Sequence, residues 1–274
     1  MGTRAVKIPK NHGGSKRSSL VKRLLPLLFF AAWILPGIQP ALAQEPTRIY
    51  YVRHGQGGHN VVSEWNSIPK DQWPPYVGNE NMFTPKGEQQ VAALTKELQG
   101  MKFDFIATSP IWRARNTILP YLKETSRKAE IWPELAETPG VPVERIASDS
   151  KPSADLIGGG ETIRLPEAEQ PFFLIREDGK RQANLKAKDP EQQISNSLAL
   201  ARKTADLIKE RFGKSGKSIL LVGHGNSGVT LLRTLTTPES PPTNLKNTGI
   251  WMAEEQPDGT FRLKLLNSKP CLEK

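Results

Sequence analysis

Two histidines, two arginines and a carboxylate stand out in this 274-residue chain, each just past a strand-like segment. Arg53 and His54 follow Arg48–Val52 (RIYYV), Ser109 and Arg113 follow Phe103–Thr108 (FDFIAT), Glu137 follows Glu130–Leu135, and His224 follows Ser218–Val222 (SILLV). Guanidinium groups are fixed-charge forks that grip phosphate oxygens in pairs. An imidazole can attack phosphorus and hold the group covalently, splitting one hard displacement into two easier ones. A neighbouring carboxylic acid can protonate the departing oxygen and then, as carboxylate, deprotonate the water that follows. These residue types suit metal-free phosphoryl transfer, where positioning and charge stabilisation dominate.

Such chemistry requires that distant segments meet, and the alternation of elements provides for it. Besides the four strand candidates, Thr84-Pro85 reads as an N-cap with proline in the first turn, and Val91, Leu94 and Leu98 share one helical face that Gly100 can end. A second helix is expected from Ser109-Pro110 to about Lys123, kinked or shortened by Pro120. Asp189-Pro190 opens a third, with Ile194, Leu198, Ala201, Ala205, Ile208 and Phe212 in steps of three and four up to Gly213. Val229–Leu235 reads as a fourth, and Ile250–Ala253 with Phe261–Leu266 as a terminal hairpin through Pro257-Asp258-Gly259. Residues 138–189, rich in Gly, Pro and charge, read as an insertion with little regular structure and a hairpin near Glu177-Asp178-Gly179. The pattern predicts an α/β fold, a three-layer α/β/α sandwich with helices on both faces of a mostly parallel sheet. In such a sheet the polar residues named above all fall at the carboxyl edge, where ligands bind and helix N-termini favour anions.

Four motifs in order carry a resemblance. Val-Arg-His-Gly-Gln-Gly-Gly-His-Asn (52–60), Phe-Thr-Pro-Lys-Gly-Glu-Gln-Gln (83–90), Ser-Pro-Ile-Trp-Arg-Ala-Arg-Asn-Thr (109–117) and Val-Gly-His-Gly (222–225) resemble the histidine phosphatase superfamily, in particular its phosphoglycerate mutase-like branch. The resemblance implies that His54 is the phosphorylated nucleophile, that Arg53, Arg113 and His224 form the phosphate pocket, and that Asn60 is a further ligand. It also implies a general acid just beyond the third strand, for which Glu137 is the first choice and Glu134 the reserve. The Arg-x-Pro and His-Asp elements of the acid phosphatase and phytase branch are missing, since Gln56-Gly57-Gly58 and His224-Gly225 stand in their places. Phosphoglycerate mutases proper carry Glu-Ser after Arg-His-Gly, whereas this chain has Gln56-Gly57. The expected activity is therefore hydrolysis of a small-molecule phosphomonoester without metal or organic cofactor. A mutase-type phosphotransferase and a non-catalytic phosphate-binding relative are the alternatives.

Other features read more plainly. His59 lacks the Cys or carboxylate cluster that would complete a metal site, so it is expected to be a loop residue lining the pocket. Trp65, Trp73 and Tyr76 are expected to pack a loop, and Gly158-Gly159-Gly160 to form a turn. Gly223-His-Gly225-Asn-Ser-Gly228 satisfies the dinucleotide-binding pattern G-x-G-x-x-G. A proline loop follows its helix where a strand ending in a ribose-binding acid should stand, so an NAD-dependent oxidoreductase is disfavoured.

The net charge of +10, from 38 basic and 28 acidic residues, suggests a nucleic-acid partner until it is located. Residues 1–43 hold seven basic residues and no acidic one, leaving 31 basic against 28 acidic in the rest. A basic segment to Arg23, the apolar Leu24–Ile38 and Ala41-Leu42-Ala43 form the pattern of an export signal cleaved before Gln44. The apolar run is shorter than the roughly 20 residues of a spanning helix. The expectation is a periplasmic or secreted single domain over 44–274, with no nucleic-acid partner and a membrane link only if the signal stays uncleaved. With Cys271 as the only cysteine, no internal disulfide can form.

Overall fold

The computed structural model describes residues 2, 45–149, 151–236 and 244–271. The chain divides into two units, Met1–Leu42 and Ala43–Lys274, and the fold below is that of the second. The expected signal segment (Gly2 apart), its Ala41-Leu42-Ala43 site and the proline loop 237–243 lie outside the described residues. Among the described residues no helix is long and apolar enough to cross a membrane.

Eight strands form one sheet: β1 (Arg48–Arg53), β2 (Phe105–Thr108), β3 (Ala129–Ile131), β4 (Phe173–Ile175), β5 (Ser218–Gly223), β6 (Ile250–Glu255), β7 (Phe261–Leu266) and β8 (Lys269–Pro270). Their order across the sheet is β4-β3-β2-β5-β1-β6-β7-β8. The first five run parallel, and β6 to β8 extend the sheet antiparallel beyond β1. Among the described residues four α-helices connect them: α1 (Pro85–Gln99), α2 (Trp112–Thr125), α3 (Pro190–Phe212) and α4 (Gly225–Thr236). Helix starts follow local chemistry. The Thr84 side chain accepts from the Gly87 N–H to cap α1, and Asp189 accepts from Glu191 and Gln192 to cap α3, each with proline next in line.

Strand alternation sorts the core into two layers. Ile49, Tyr51, Ile219 and Leu221 face α3 and α4, where Ile208, Phe212, Leu231 and Leu232 pack on them. Val52, Leu220 and Val222 face α1 and α2, meeting Leu94, Leu98, Ile118 and Leu122. The three-layer α/β sandwich expected from the sequence is therefore present. Its central strand β5 is buried on both faces, which is why its sequence is a continuous apolar run.

Several elements depart from the sequence expectation. α2 runs through Pro120 to Thr125, because Ala114, Ile118, Leu119 and Leu122 are buried and hold the helix despite one missing N–H donor. The third strand ends at Ile131, and Pro133–Leu135 turns as a short 3₁₀ segment. No hairpin forms at Glu177–Gly179, which is a 3₁₀ turn. Instead β4 adds to the sheet edge in parallel with β3, burying Phe173. The insertion is tied down by the buried ion pairs Arg115–Glu169 at 2.6 Å and Arg176–Glu134 at 2.8 Å, and by the more exposed Arg145–Glu191 at 2.6 Å.

α4 begins at Gly225, four residues before the expected start. Glycine is disfavoured in helices, yet here close packing demands it. A Cβ on Gly223 would sit 2.2 Å from the Tyr51 hydroxyl and one on Gly228 2.3 Å from the Tyr51 ring, while a Cβ on Gly225 would lie 3.2 Å from Arg53 Nε. The three glycines of the G-x-G-x-x-G pattern thus admit Tyr51 and Arg53. The strand after α4, β6, lies antiparallel to β1, so the right-handed βαβ unit of a dinucleotide fold is not formed.

The Tyr51 ring cannot retreat, since it stacks on Trp251 at 5.2 Å with planes 4° apart. Gly228→Ala is therefore expected to lower unfolding free energy by about 1–3 kcal/mol, the usual range for overpacking a tight core. Urea denaturation of the purified variant checks this, and wild-type stability would refute the close-packing account.

Candidate active site

The loop that leaves β1 carries Arg53-His54-Gly55 and is held by backbone contacts on every side. The His54 N–H donates to Gly223 O at 2.9 Å, linking the ends of β1 and β5. The Gly55 N–H donates to Thr117 Oγ1 on α2 at 2.9 Å, and the Gln56 N–H to Gln90 Oε1 on α1 at 2.9 Å. Thr84 donates from its N–H to Gln56 O at 3.0 Å and from its hydroxyl to Gln56 Oε1 at 2.8 Å. A Cβ on Gly87 would lie 2.1 Å from Gln56 O. The Phe-Thr-Pro-Lys-Gly-Glu-Gln-Gln motif is thus a clamp on this loop.

His54 is fully buried, and its Nδ1 lies 2.7 Å from Gly55 O. A carbonyl oxygen only accepts, so Nδ1 carries the proton and Nε2 keeps a lone pair. Burial pushes the His54 pKa well below the usual histidine range against the Gly55 hydrogen bond, and the Arg113 and Arg53 charges push the same way. The imidazole is neutral at neutral pH, with Nε2 free to act as a nucleophile.

His224 begins the turn into α4, its ring centroid 5.2 Å from that of His54. The Tyr51 hydroxyl fixes its backbone, accepting from the His224 N–H at 2.7 Å and donating to its carbonyl at 3.1 Å. Burial pushes the Tyr51 phenol up to about 12, so it remains a donor. The His224 ring is oriented by Ser109 Oγ, 2.9 Å from Nε2, while Nδ1 lies 4.0 Å from Glu137 Oε2. Burial, then the neighbouring His54 and Arg113, push its pKa well down.

Arg113 is buried and donates from Nη2 to Glu137 Oε2, with Nη1 4.0 Å from Glu80. Arg53 crosses over Gly225 and donates from Nη1 to Leu245 O at 2.7 Å. Burial pushes its pKa down. The structure therefore brings together Arg53, His54, Arg113, Glu137 and His224. Asn60 is engaged differently: its Oδ1 accepts from the Gly57 N–H at 3.0 Å and closes the loop turn. Glu134 does not join the site, because both its oxygens are held by Arg176. The positioning roles of Tyr51, Thr117 and Ser109 were not read from the sequence. The one available signal was a tyrosine in a core strand paired with glycines at 223 and 228.

One ligand atom each from His54, Glu137 and His224 lie within 4.8 Å of one another, close enough to hold a small divalent ion. Two guanidinium groups beside them oppose a cation and favour an anion. Seven buried nitrogens here have no hydrogen-bond partner: Arg53 Nε, His54 Nε2, both ring nitrogens of His59, Arg113 Nε and Nη1, and His224 Nδ1. Buried polar atoms are normally satisfied; His54 Nε2 and one nitrogen of the neutral His59 are bare, and the remaining five can act as donors, an arrangement that suits a ligand rich in acceptors. An open cleft of about 670 Å³ leads from Arg113 and Glu137 past Glu80 and Trp112 to Arg164 and Gln182 of the insertion.

Residues 49–151 match the family model of the histidine phosphatase superfamily, branch 1. The resemblance drawn from the motifs thus holds over the first three, and His224 lies beyond the matched segment. No curated protein sequence matches the chain. Among solved structures, a mycobacterial hydrolase (Mycobacterial hydrolase 1) aligns with TM-score 0.50 and 16% identity, covering 82% of this chain and 100% of its own. A mycobacterial glucosyl-3-phosphoglycerate phosphatase complexed with VO3 aligns at TM-score 0.48 and 18% identity, covering 81% of this chain and 99% of its own. A phosphoserine phosphatase from Entamoeba histolytica in complex with 3-phosphoglyceric acid aligns at TM-score 0.47 and 24% identity, covering 81% and 98%. At these identities the likeness is one of fold.

Three neutral imidazoles, His54 and His224 buried and His59 half-buried, give the fold an acid sensitivity. Burial, with Arg113, lowers His59 to about 4, and His54 and His224 are depressed by burial as well. Unfolded histidines titrate near 6.5, so below that pH the unfolded state binds more protons and stability falls. The loss should begin near pH 6.5 and continue downward, to about pH 4 for His59. Each imidazole contributes at most about 1.4 kcal/mol per pH unit. Calorimetric Tm is expected to drop steadily between pH 7 and 5 and less steeply in His224→Gln; a flat profile would contradict the buried neutral site.

Proposed function

We propose that this protein is a phosphomonoesterase that works through a phosphohistidine at His54. The observation that carries the reading is the cluster of unpaired buried nitrogens around the free Nε2 of His54. A tetrahedral phosphoryl group supplies the acceptor oxygens they lack, and its charge answers Arg53 and Arg113. A dinucleotide or a metal ion would not use this arrangement.

In the first half-reaction the His54 Nε2 lone pair attacks phosphorus as the bond to the ester oxygen breaks. The phosphoryl oxygens take the place of the Glu137 carboxylate at Arg113; Glu137, no longer paired, takes up the proton that the monoanionic ester brings and passes it to the leaving oxygen as the P–O bond breaks, and the alcohol departs. Arg53, Arg113 and the neutral His224, with Nδ1 facing the site, hold the transferring group. In the second half-reaction the Glu137 carboxylate takes a proton from water, the hydroxide oxygen attacks phosphorus, and the P–N bond breaks. Inorganic phosphate leaves and the Nε2 lone pair returns. The hydrogen bond from Nδ1 to Gly55 O supports this sequence, because it stabilises the positive charge that develops on the ring as Nε2 bonds to phosphorus.

The test uses p-nitrophenyl phosphate, whose leaving group needs little protonation. Glu137→Gln is expected to form the phosphoenzyme but to lose the base for the water step. Turnover should fall by roughly 10²–10⁴-fold while label from ³²P-substrate accumulates on the protein. An alkaline quench preserves phosphohistidine, whereas acid destroys it. His54→Ala should abolish both label and turnover. Turnover that survives His54→Ala, or no alkali-stable label in Glu137→Gln, would overturn the mechanism.

A further inference from the structure

His59 takes no part in the reaction sequence above, yet its surroundings are not those of a packing residue. Its ring centroid lies 5.5 Å from that of His54, tilted by 48°. Both ring nitrogens are buried without a hydrogen-bond partner. The ring rests on Gly57, where a Cβ would come within 2.9 Å of Nδ1 and Cε1, so the loop keeps a glycine where His59 leans. The charged and titratable groups facing it are Arg113 and Arg53, His54, and Glu80 from the loop before α1. An imidazole used only for packing would turn one nitrogen to water or to a backbone group.

We propose that His59 is a substrate-binding residue of the same pocket, whose ring N–H donates to an oxygen of the bound phosphoryl group. A tetrahedral oxyanion held between His54 and Arg113 would bring an acceptor to this ring, whose nitrogens make no hydrogen bond to Glu80 or to any other protein group. A neutral imidazole has one N–H and one lone pair. Beside an anion the N–H tautomer facing it is the one retained, and the second nitrogen is left toward Gly57. The inference rests on the phosphoryl-transfer reading for the identity of the ligand, but its test does not depend on turnover.

Sulfate is a tetrahedral dianion that cannot transfer a group, so its binding reports the pocket alone. With sulfate as probe, calorimetry on His59→Phe is expected to show a Kd weakened by roughly tenfold or more, the loss of one hydrogen bond to a charged group. His59→Gln, whose amide supplies an N–H at similar reach, should stay within about threefold of wild type on the same argument. In the wild-type protein the ¹⁵N ring resonances of His59 should shift on sulfate titration, a readout that needs no variant to fold. Wild-type affinity in His59→Phe, equal weakening in both variants, or silent His59 resonances would each overturn the assignment. If label trapping at His54 fails while these sulfate results hold, the catalytic mechanism falls and the binding role of His59 stands.

Discussion

The proton on His54 Nδ1 is fixed by one short hydrogen bond to the carbonyl of the next residue. The proposed attack on phosphorus depends on it. Were Nδ1 free to lose its proton to Nε2, the buried ring would turn a donor toward the pocket and have no lone pair to attack with. The carbonyl of Gly55 is held in place because the Gly55 N–H is tied to Thr117 on α2 and the neighbouring Gln56 to Thr84 and Gln90 on α1. A tautomer is thus determined by the docking of two helices onto one face of the sheet. On the other face Tyr51, gripped by Trp251 and given room by Gly223 and Gly228, performs the same service for the backbone of His224.

A second constraint follows from burial. Bringing guanidinium groups and imidazoles out of water is costly unless they are paired. In this fold the pairing is incomplete: Arg113 reaches Glu137 with one nitrogen only, and Arg53 reaches a backbone carbonyl with one. The imidazoles answer the same pressure by giving up their protons, which keeps His54 nucleophilic at neutral pH. The unpaired nitrogens belong to residues grouped round His54, so in the proposed reaction the cost of burying the donors among them is offset when an anion arrives. Pre-organised donors of this kind need no rearrangement at the moment charge develops.

Much of the architecture was legible because it rests on local signals. The caps Thr84 and Asp189, each followed by proline, mark the starts of α1 and α3, and the apolar run of β5 announces a strand covered on both faces. The placement of Arg53, His54, Arg113, Glu137 and His224 at one edge follows from parallel strand order. What escaped the sequence depends on partners far along the chain. Glycines 225 and 228 argue against helix until Tyr51 and Arg53 are seen to need the space. β4 is three residues in a charged insertion, and it is a strand because Phe173 has a core to enter. Glu134 and Glu137 look equivalent in Glu-Leu-Ala-Glu, and the distinction is made by Arg176, 42 residues from Glu134. The unpaired nitrogens of His59 have no sequence signature at all.

The protonation of the His54 ring in the resting protein tests the account at its root. Long-range ¹H–¹⁵N correlation spectra of protein labelled at histidine, at pH 7 and assigned through His54→Gln, distinguish the two neutral tautomers from imidazolium. The expected result is a neutral ring with the proton on Nδ1 and a bare Nε2. A proton on Nε2, or a charged ring at that pH, would contradict it.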